Sequence, residues 1–450
     1  MRHELRRLFR LAVPLAAAQA GTQLMTLVDI AVLGRLGARE LAAAGLGNAV
    51  FFALSIFGMG VVFGVDPMIS QAVGAGDRLR ARALLWQGIW LALGVTVLIT
   101  IPMVLAPLVL PRAGVQPELI APTTTYLLIR AIGVAPFLLF LVLRSYLQAL
   151  GITRPMLVAM IVANVFNLAA DILFVFGGRV LPEWTGPLRG FPALGIAGAA
   201  IATVLGAVLQ LAILVSAARK IRPPDAVRHG WNTSDVLQAF RVGLPTGLQL
   251  GAEVGIFALV GVLAGRLGTM ELAAHQLTLG LASFTYTVAL GVAAAGSVRV
   301  GLAIGARDAV GTRLAGHAAF IGGTAVMAIA ALAFALFPAQ IAQIISDQPD
   351  VIAASIPLLV VAAWFQLSDG VQAVGAGVLR GAGDTRFAFV ANLLGHWLIG
   401  LPTALYLGFM RDMGIVGMWW GLCAGLTVVA VLLFLRFEQR SRVGIEPIEA

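Results

Sequence analysis

Gly34-Arg-Leu-Gly-Ala-Arg-Glu-Leu-Ala-Ala43 recurs as Gly265-Arg-Leu-Gly-Thr-Met-Glu-Leu-Ala-Ala274, an offset of 231 residues. The same offset aligns Phe9-Arg10 with Phe240-Arg241, Pro14 with Pro245, Gly74-Ala75 with Gly305-Ala306, and Asp77 with Asp308. Later, Gly151-Ile-Thr-Arg154 matches Gly383-Asp-Thr-Arg386, and Gly195-Ile-Ala-Gly198 matches Gly414-Ile-Val-Gly417. The offset shifts there because the first half carries an extra loop around Gly177 to Gly190. A register held over half a chain marks an internal duplication.

The composition says what is duplicated. The 450 residues are 60% hydrophobic and only 11% charged, with a mean hydropathy of +0.96. Soluble domains run nearer a quarter charged, so lipid must take the place of water over much of the surface. Stretches long enough to cross a bilayer, roughly 20 residues each, fall near 8–34, 46–70, 83–108, 122–150, 155–177, 193–217, 236–265, 274–300, 315–337, 352–382, 387–409 and 414–437. These are continuous Leu, Ala, Val and Gly runs rather than the short alternating segments of a membrane barrel. The expected fold is an all-α polytopic membrane protein of twelve transmembrane helices, in two six-helix lobes related by a pseudo-two-fold axis. Six is even, so both copies enter the membrane in one direction and the repeats are parallel. The expected organisation is an N-terminal lobe over 1–218, a cytoplasmic linker over 219–235 containing Pro223-Pro224, and a C-terminal lobe over 236–450.

Charge sets the orientation. With both termini cytoplasmic, inner ends and loops collect Arg2, Arg6, Arg7, Arg10, Arg78, Arg80, Arg82, Arg154, Arg219, Lys220, Arg222, Arg228, Arg307, Arg313, Arg386, Arg436, Arg440 and Arg442. The outer side keeps Arg35, Arg39, Arg112, Arg179, Arg189, Arg266 and Arg411, so the positive-inside rule selects this orientation. The net charge of +9 therefore belongs to loops and not to a nucleic-acid surface. The basic N-terminus precedes no cleavage site of the signal-peptide kind. Cys423 is the sole cysteine, which excludes an intrachain disulfide framework. Lys220 is the sole lysine and follows Arg219, so there is no Walker A sequence. Neither a metal-spaced Cys/His cluster nor a Gly-x-Ser-x-Gly elbow occurs. No enzyme is expected and no cofactor beyond a coupling ion, H⁺ or Na⁺.

Five of the 21 acidic residues lie inside the expected spans: Asp29, Asp66, Asp171, Glu253 and Asp369. An ionised carboxylate in a bilayer is costly, so it persists mainly where it meets a cavity, a cation or a proton. Asn167 and Asp171 are four residues apart and share a helical face, offering a carboxylate and an amide oxygen to a hard cation such as Na⁺. A proton needs only a buried carboxyl group. At the repeat offsets Asp29 and Asp171 correspond to Val260 and Thr403, while Glu253 and Asp369 correspond to Thr22 and Phe137. The two halves therefore carry non-equivalent acids, as directional ion use requires. Asp66, before Pro67 near an inner helix end, is expected to be solvated or paired with Arg299. Arg130 is expected to snorkel in a structural role, and His275 and His396 to be packing residues. Met25, Phe51, Phe57, Phe257, Phe284 and Phe365 are expected to face lipid or core.

These residues resemble the multidrug and toxic compound extrusion (MATE) transporters, most like the bacterial NorM branch. The resemblance rests on Leu27-Val28-Asp29 with Gly34, Gln71 with Gly74-Ala75-Gly76, Gly243-Leu-Pro245 with Glu253, Ala273-Ala-His-Gln276, Arg299-Val-Gly301, and Phe365-Gln-x-x-Asp369 through Leu379-Arg-Gly381. It implies a two-lobed exporter that works by alternating access and exchanges small organic cations for Na⁺ or H⁺. It makes Asp29, Asn167, Asp171 and Thr203 the first-lobe ion site, Glu253 and Asp369 the second, and Gln276, Phe365 and Gln366 further cavity residues. NorM-like proteins often place a tyrosine where this chain has Phe365, which removes a hydroxyl ligand. A monomer in the bacterial inner membrane is expected. A lipid-linked oligosaccharide flippase would carry more interior cations, and a receptor or scaffold would leave the interior acids unexplained.

Overall fold

A computed structural model describes residues 1–180, 182–221 and 229–448. Among them are twelve helices long and apolar enough to cross a membrane: α1 Arg2–Leu36, α2 Ala38–Gly74, α3 Arg78–Val109, α4 Pro117–Ala149, α5 Arg154–Phe176, α6 Ile196–Lys220, α7 Thr233–Leu267, α8 Thr269–Gly305, α9 Ala309–Leu336, α10 Pro349–Gly381, α11 Thr385–Met410 and α12 Gly414–Val443. Each expected span lies on one of them, overrunning its ends by three residues at most, and no strand occurs among the described residues. The chain is a multi-pass, all-α membrane protein.

The recurring decapeptide becomes the same turn twice. Gly37 joins α1 to α2 at φ 157° and ψ 162°, and Gly268 joins α7 to α8 at φ 157° and ψ 169°. Only glycine enters this region readily, because a Cβ would collide with the backbone. In both copies the next helix then begins without a loop, so α1 and α7 continue almost directly into their partners. Pro14 and Pro245 sit at equivalent points inside α1 and α7, each removing one helical hydrogen bond.

Contacts divide the chain into two compact units: a first of Ala20–Val65 and Arg78–Phe240, and a second of Met1–Gln19, Asp66–Asp77 and Arg241–Ala450. Met1–Gln19 of α1 and Asp66–Asp77 of α2 fall within the second unit. The α2 segment makes a reciprocal close approach there. A Cβ on Gly74 would stand 2.1 Å from the Leu302 carbonyl oxygen, and one on Gly305 would stand 1.9 Å from that of Gln71. Gln71 and Leu302 are themselves repeat equivalents, so the two copies of this segment cross backbone against backbone, as small residues allow. Gln71 also donates to the Gly381 carbonyl oxygen at 3.1 Å.

Of the stretch 219–235, α6 runs to Lys220 and α7 starts at Thr233. Arg222, Pro223, Pro224 and Arg228 lie outside the described residues. The far end of the linker is fastened to α3: Gln87 donates to the Gly230 carbonyl and accepts from the Asn232 N–H, both at 2.9 Å. Arg80 donates both guanidinium nitrogens to Asp235 at 2.6 and 2.7 Å. The extra loop near Gly177–Gly190 contains two short 3₁₀ pieces, Gly178–Val180 and Glu183–Gly190. A helix not expected from the sequence, Pro338–Ile345, lies between α9 and α10.

Candidate functional site

In the first unit, α1, α5 and α6 bring Asp29, Asn167, Asp171 and Thr203 together. Helical spacing stacks Asn167 above Asp171, and both are fully buried. With its amide nitrogen turned toward the acids, Asn167 donates to Asp29 Oδ1 at 3.0 Å and to Asp171 Oδ2 at 3.3 Å. The Asp29 and Asp171 carboxyl groups are within hydrogen-bond reach of each other. Two buried carboxylates in contact repel unless a proton or a cation lies between them. Thr203 Oγ1 is 2.9 Å from the Ala199 carbonyl oxygen and 3.2 Å from Asp29 Oδ2. A hydroxyl has one proton; given to Ala199, it leaves Thr203 as an acceptor for a proton on Asp29. Asp171 Oδ1 finds no donor among the described residues. Arg130 takes a more defined place than a snorkelling chain, its guanidinium 4.0 Å from the centre of the Phe51 ring, a cation–π distance.

In the second unit, Glu253 on α7 is held from three helices. Its Oε2 accepts from Gln372 on α10 at 3.2 Å and from Asn392 on α11 at 3.4 Å, and Tyr286 on α8 lies within hydrogen-bond reach. Asp369 lies one turn before Gln372 and is 5% exposed. Tyr286 thus supplies the hydroxyl that the sequence lacks at Phe365. The α11 backbone is π-helical over Leu393–Gly400, ahead of Pro402, whose missing N–H breaks the regular ladder. Trp397 pins this stretch to α7 by donating to the Ala252 carbonyl at 3.1 Å.

None of the other expected residues is among the hydrogen-bond partners of Glu253. Phe365 is a core residue, stacked edgewise on Phe257 and Trp419. Gln366 is buried and donates to Thr285 at 2.5 Å. Gln276 is exposed on α8. Asp66 pairs with Arg380 at 3.8 Å, whereas Arg299, its expected partner, donates to Glu4 at 2.7 Å. His275 accepts from the Trp419 indole at 3.2 Å, the expected packing role; His396 is buried with both ring nitrogens unpartnered among the described residues. Sequence reasoning missed Gln372, Asn392 and Tyr286. Their signal is a polar side chain within an apolar run, which a bilayer tolerates only when it has a partner.

Twelve membrane-spanning helices with acidic side chains held inside each unit define a multi-pass membrane protein with polar sites in its interior. The family profile for MatE matches twice, at residues 14–173 and 245–406, and the two matches begin at the offset of the repeat. The chain is similar to the Probable multidrug resistance protein NorM of Rhizobium meliloti, 36% identical over 446 residues, covering 96% of this chain and 92% of that protein. It is also similar to the Multidrug resistance protein NorM of Aliivibrio fischeri, 30% identical with 98% and 96% covered. A crystal structure of MATE in the straight conformation matches with a TM-score of 0.87 at 22% identity, covering 98% of this chain and 96% of that one. A eukaryotic MATE transporter matches at 0.82 and 20%, with 98% of both covered. The chain belongs to the MatE family.

Proposed function

We propose that this protein is a multidrug exporter that expels organic, mostly cationic, compounds from the cytoplasm in exchange for protons, by alternating access of its two repeats. The observation that carries the reading is the contact between the carboxyl groups of half-buried Asp29 and fully buried Asp171, beside Asn167. A proton completes the cluster with no further ligand, whereas Na⁺ needs several oxygens around it. The interior acids favour a cationic substrate. The multidrug resistance names of the relatives support drugs as the cargo.

The protein works as a monomer in the bacterial inner membrane, with both termini in the cytoplasm. Reporter fusions at the C-terminus are expected to be active only as cytoplasmic reporters; a periplasmic signal would overturn the orientation. Cells making the protein are expected to accumulate several-fold less ethidium than cells without it. Glu253→Gln and Asp369→Asn should each return accumulation most of the way to the empty-cell level at unchanged protein amount. Equal accumulation with and without the wild-type protein would refute export, and wild-type behaviour of both variants would refute the second site.

A further inference from the structure

One guanidinium inside the first unit has no carboxylate paired with it. Arg130 on α4 is half-buried, its Nε is buried without a hydrogen-bond partner among the described residues, and no carboxylate oxygen among them lies within 4.0 Å of it. It rests on aromatic faces instead, 4.0 Å from the centre of the Phe51 ring and 6.0 Å from that of Tyr126. Helical spacing builds this seat, since Gly47 and Phe51 on α2 are one turn apart, as are Tyr126 and Arg130 on α4. A Cβ on Gly47 would stand 2.7 Å from the Tyr126 ring, so the missing side chain lets that ring lie against α2. Asp29 is near enough for its charge to interact with that of Arg130, and Tyr126 feels both acids and the guanidinium. The titratable and charged groups around the seat are Asp29 from α1, Tyr126 and Arg130 from α4, and Asp171 from α5; α2 and α6 contribute Phe51 and Thr203.

Charge balance makes this arrangement selective. With both acids ionised, Asp29 and Asp171 carry two negative charges and Arg130 one positive, so a single further positive charge makes the group neutral. A proton shared by the acids supplies it, and so does one singly charged organic cation. We propose that the face of Phe51, edged by Tyr126, is a seat for an organic cation and that Arg130 is the tethered rival for it, taking the seat when Asp29 and Asp171 hold a proton and leaving it for their carboxylates when they lose that proton. The proposal rests on proton exchange as the coupling reaction and names what makes proton and drug exclude each other. A guanidinium suits both positions, because it stacks on rings and forks onto carboxylates, and a change of rotamer carries it from one to the other. Proton uptake then expels the drug by returning Arg130 to the ring, and by linkage drug binding releases one proton.

Equilibrium binding of tetraphenylphosphonium, whose charge does not change with pH, to the purified full-length protein tests this. Wild-type affinity is expected to rise about tenfold per pH unit where the acid pair titrates, because one proton leaves for each cation bound. Arg130→Met, which keeps the reach of the side chain without its charge, should lose most of that slope by binding tightly at acid pH as well, a gain that no loosening of the fold can produce. Arg130→Lys should keep the slope. Phe51→Leu should weaken binding about tenfold, the loss of one desolvated cation–π contact, and Phe51→Tyr should restore it. A full slope that survives Arg130→Met, or unchanged affinity in Phe51→Leu, would overturn the rivalry while leaving proton exchange intact. Wild-type affinity indifferent to pH would overturn the exchange reading and the rivalry with it.

Discussion

Asp29→Asn is expected to abolish concentrative drug export while leaving the protein folded in the membrane. Asparagine has nearly the shape of aspartate and puts one oxygen and one NH2 where the carboxyl group has two oxygens, the NH2 donating to Thr203 Oγ1 in place of the 3.2 Å contact, so packing in the first unit is preserved. What it loses is the ability to exchange a proton. In one-for-one exchange with a singly charged drug the field does no net work, because the drug leaves against the potential that draws the proton in, and the pH gradient contributes about 1.4 kcal/mol, tenfold in drug gradient, per pH unit. Without proton exchange that gradient has no source. The variant should still let drug equilibrate downhill, because that requires only the conformational cycle. Resistance assays, paired with ethidium efflux from preloaded cells, read both properties. Full resistance at normal protein amount would remove Asp29 from the mechanism.

The repeat, the twelve spans and the shared face of Asn167 and Asp171 were legible because each leaves a local trace, whereas Asp29 and Thr203 joined that pair only through the family resemblance. The decapeptide ending Leu-Ala-Ala encodes a turn only glycine can make, and Asn167 and Asp171 announce one helical face by their spacing. The partners of Glu253 left no such trace. Gln372 and Asn392 are single amides on separate helices, and their convergence on Glu253 Oε2 depends on how α7, α10 and α11 pack. Tyr286 could not be found by looking beside the acid, where the chain has Phe365, because the hydroxyl arrives from α8. The assignment of Met1–Gln19 and Asp66–Asp77 to the second unit also lay beyond the periodicity of apolar residues. Hydropathy locates spans but is blind to which small residues let two helices touch, and the Gly74 and Gly305 contacts of the α2 segment and the approach of Gly291 to Ala16 in α1 are of that kind.

That crossing carries the second large effect. Gly305→Ala adds a Cβ at 1.9 Å from the Gln71 carbonyl oxygen, and Gly74→Ala one at 2.1 Å from the Leu302 carbonyl oxygen. Backbone cannot rotate aside as a flexible side chain can, so α2 and α8 must separate, and the Gln71 amide bond to Gly381 stretches with them. Overpacking of this sort costs about 1–3 kcal/mol for each methyl, and Gly305→Leu should yield little folded protein. Gly94, inside α3, has nothing within 4 Å of its added Cβ. Gly94→Ala should therefore be neutral or stabilising by up to about 1 kcal/mol, since alanine restricts the unfolded chain and favours helix. The same chemical change is thus expected to have opposite signs at two glycines in apolar helices. Thermal unfolding in detergent, followed by size-exclusion recovery, decides it. Equal melting of Gly305→Ala and Gly94→Ala would show that the crossing yields, and that the reciprocal contact is not what ties the inner end of α2 to the second unit.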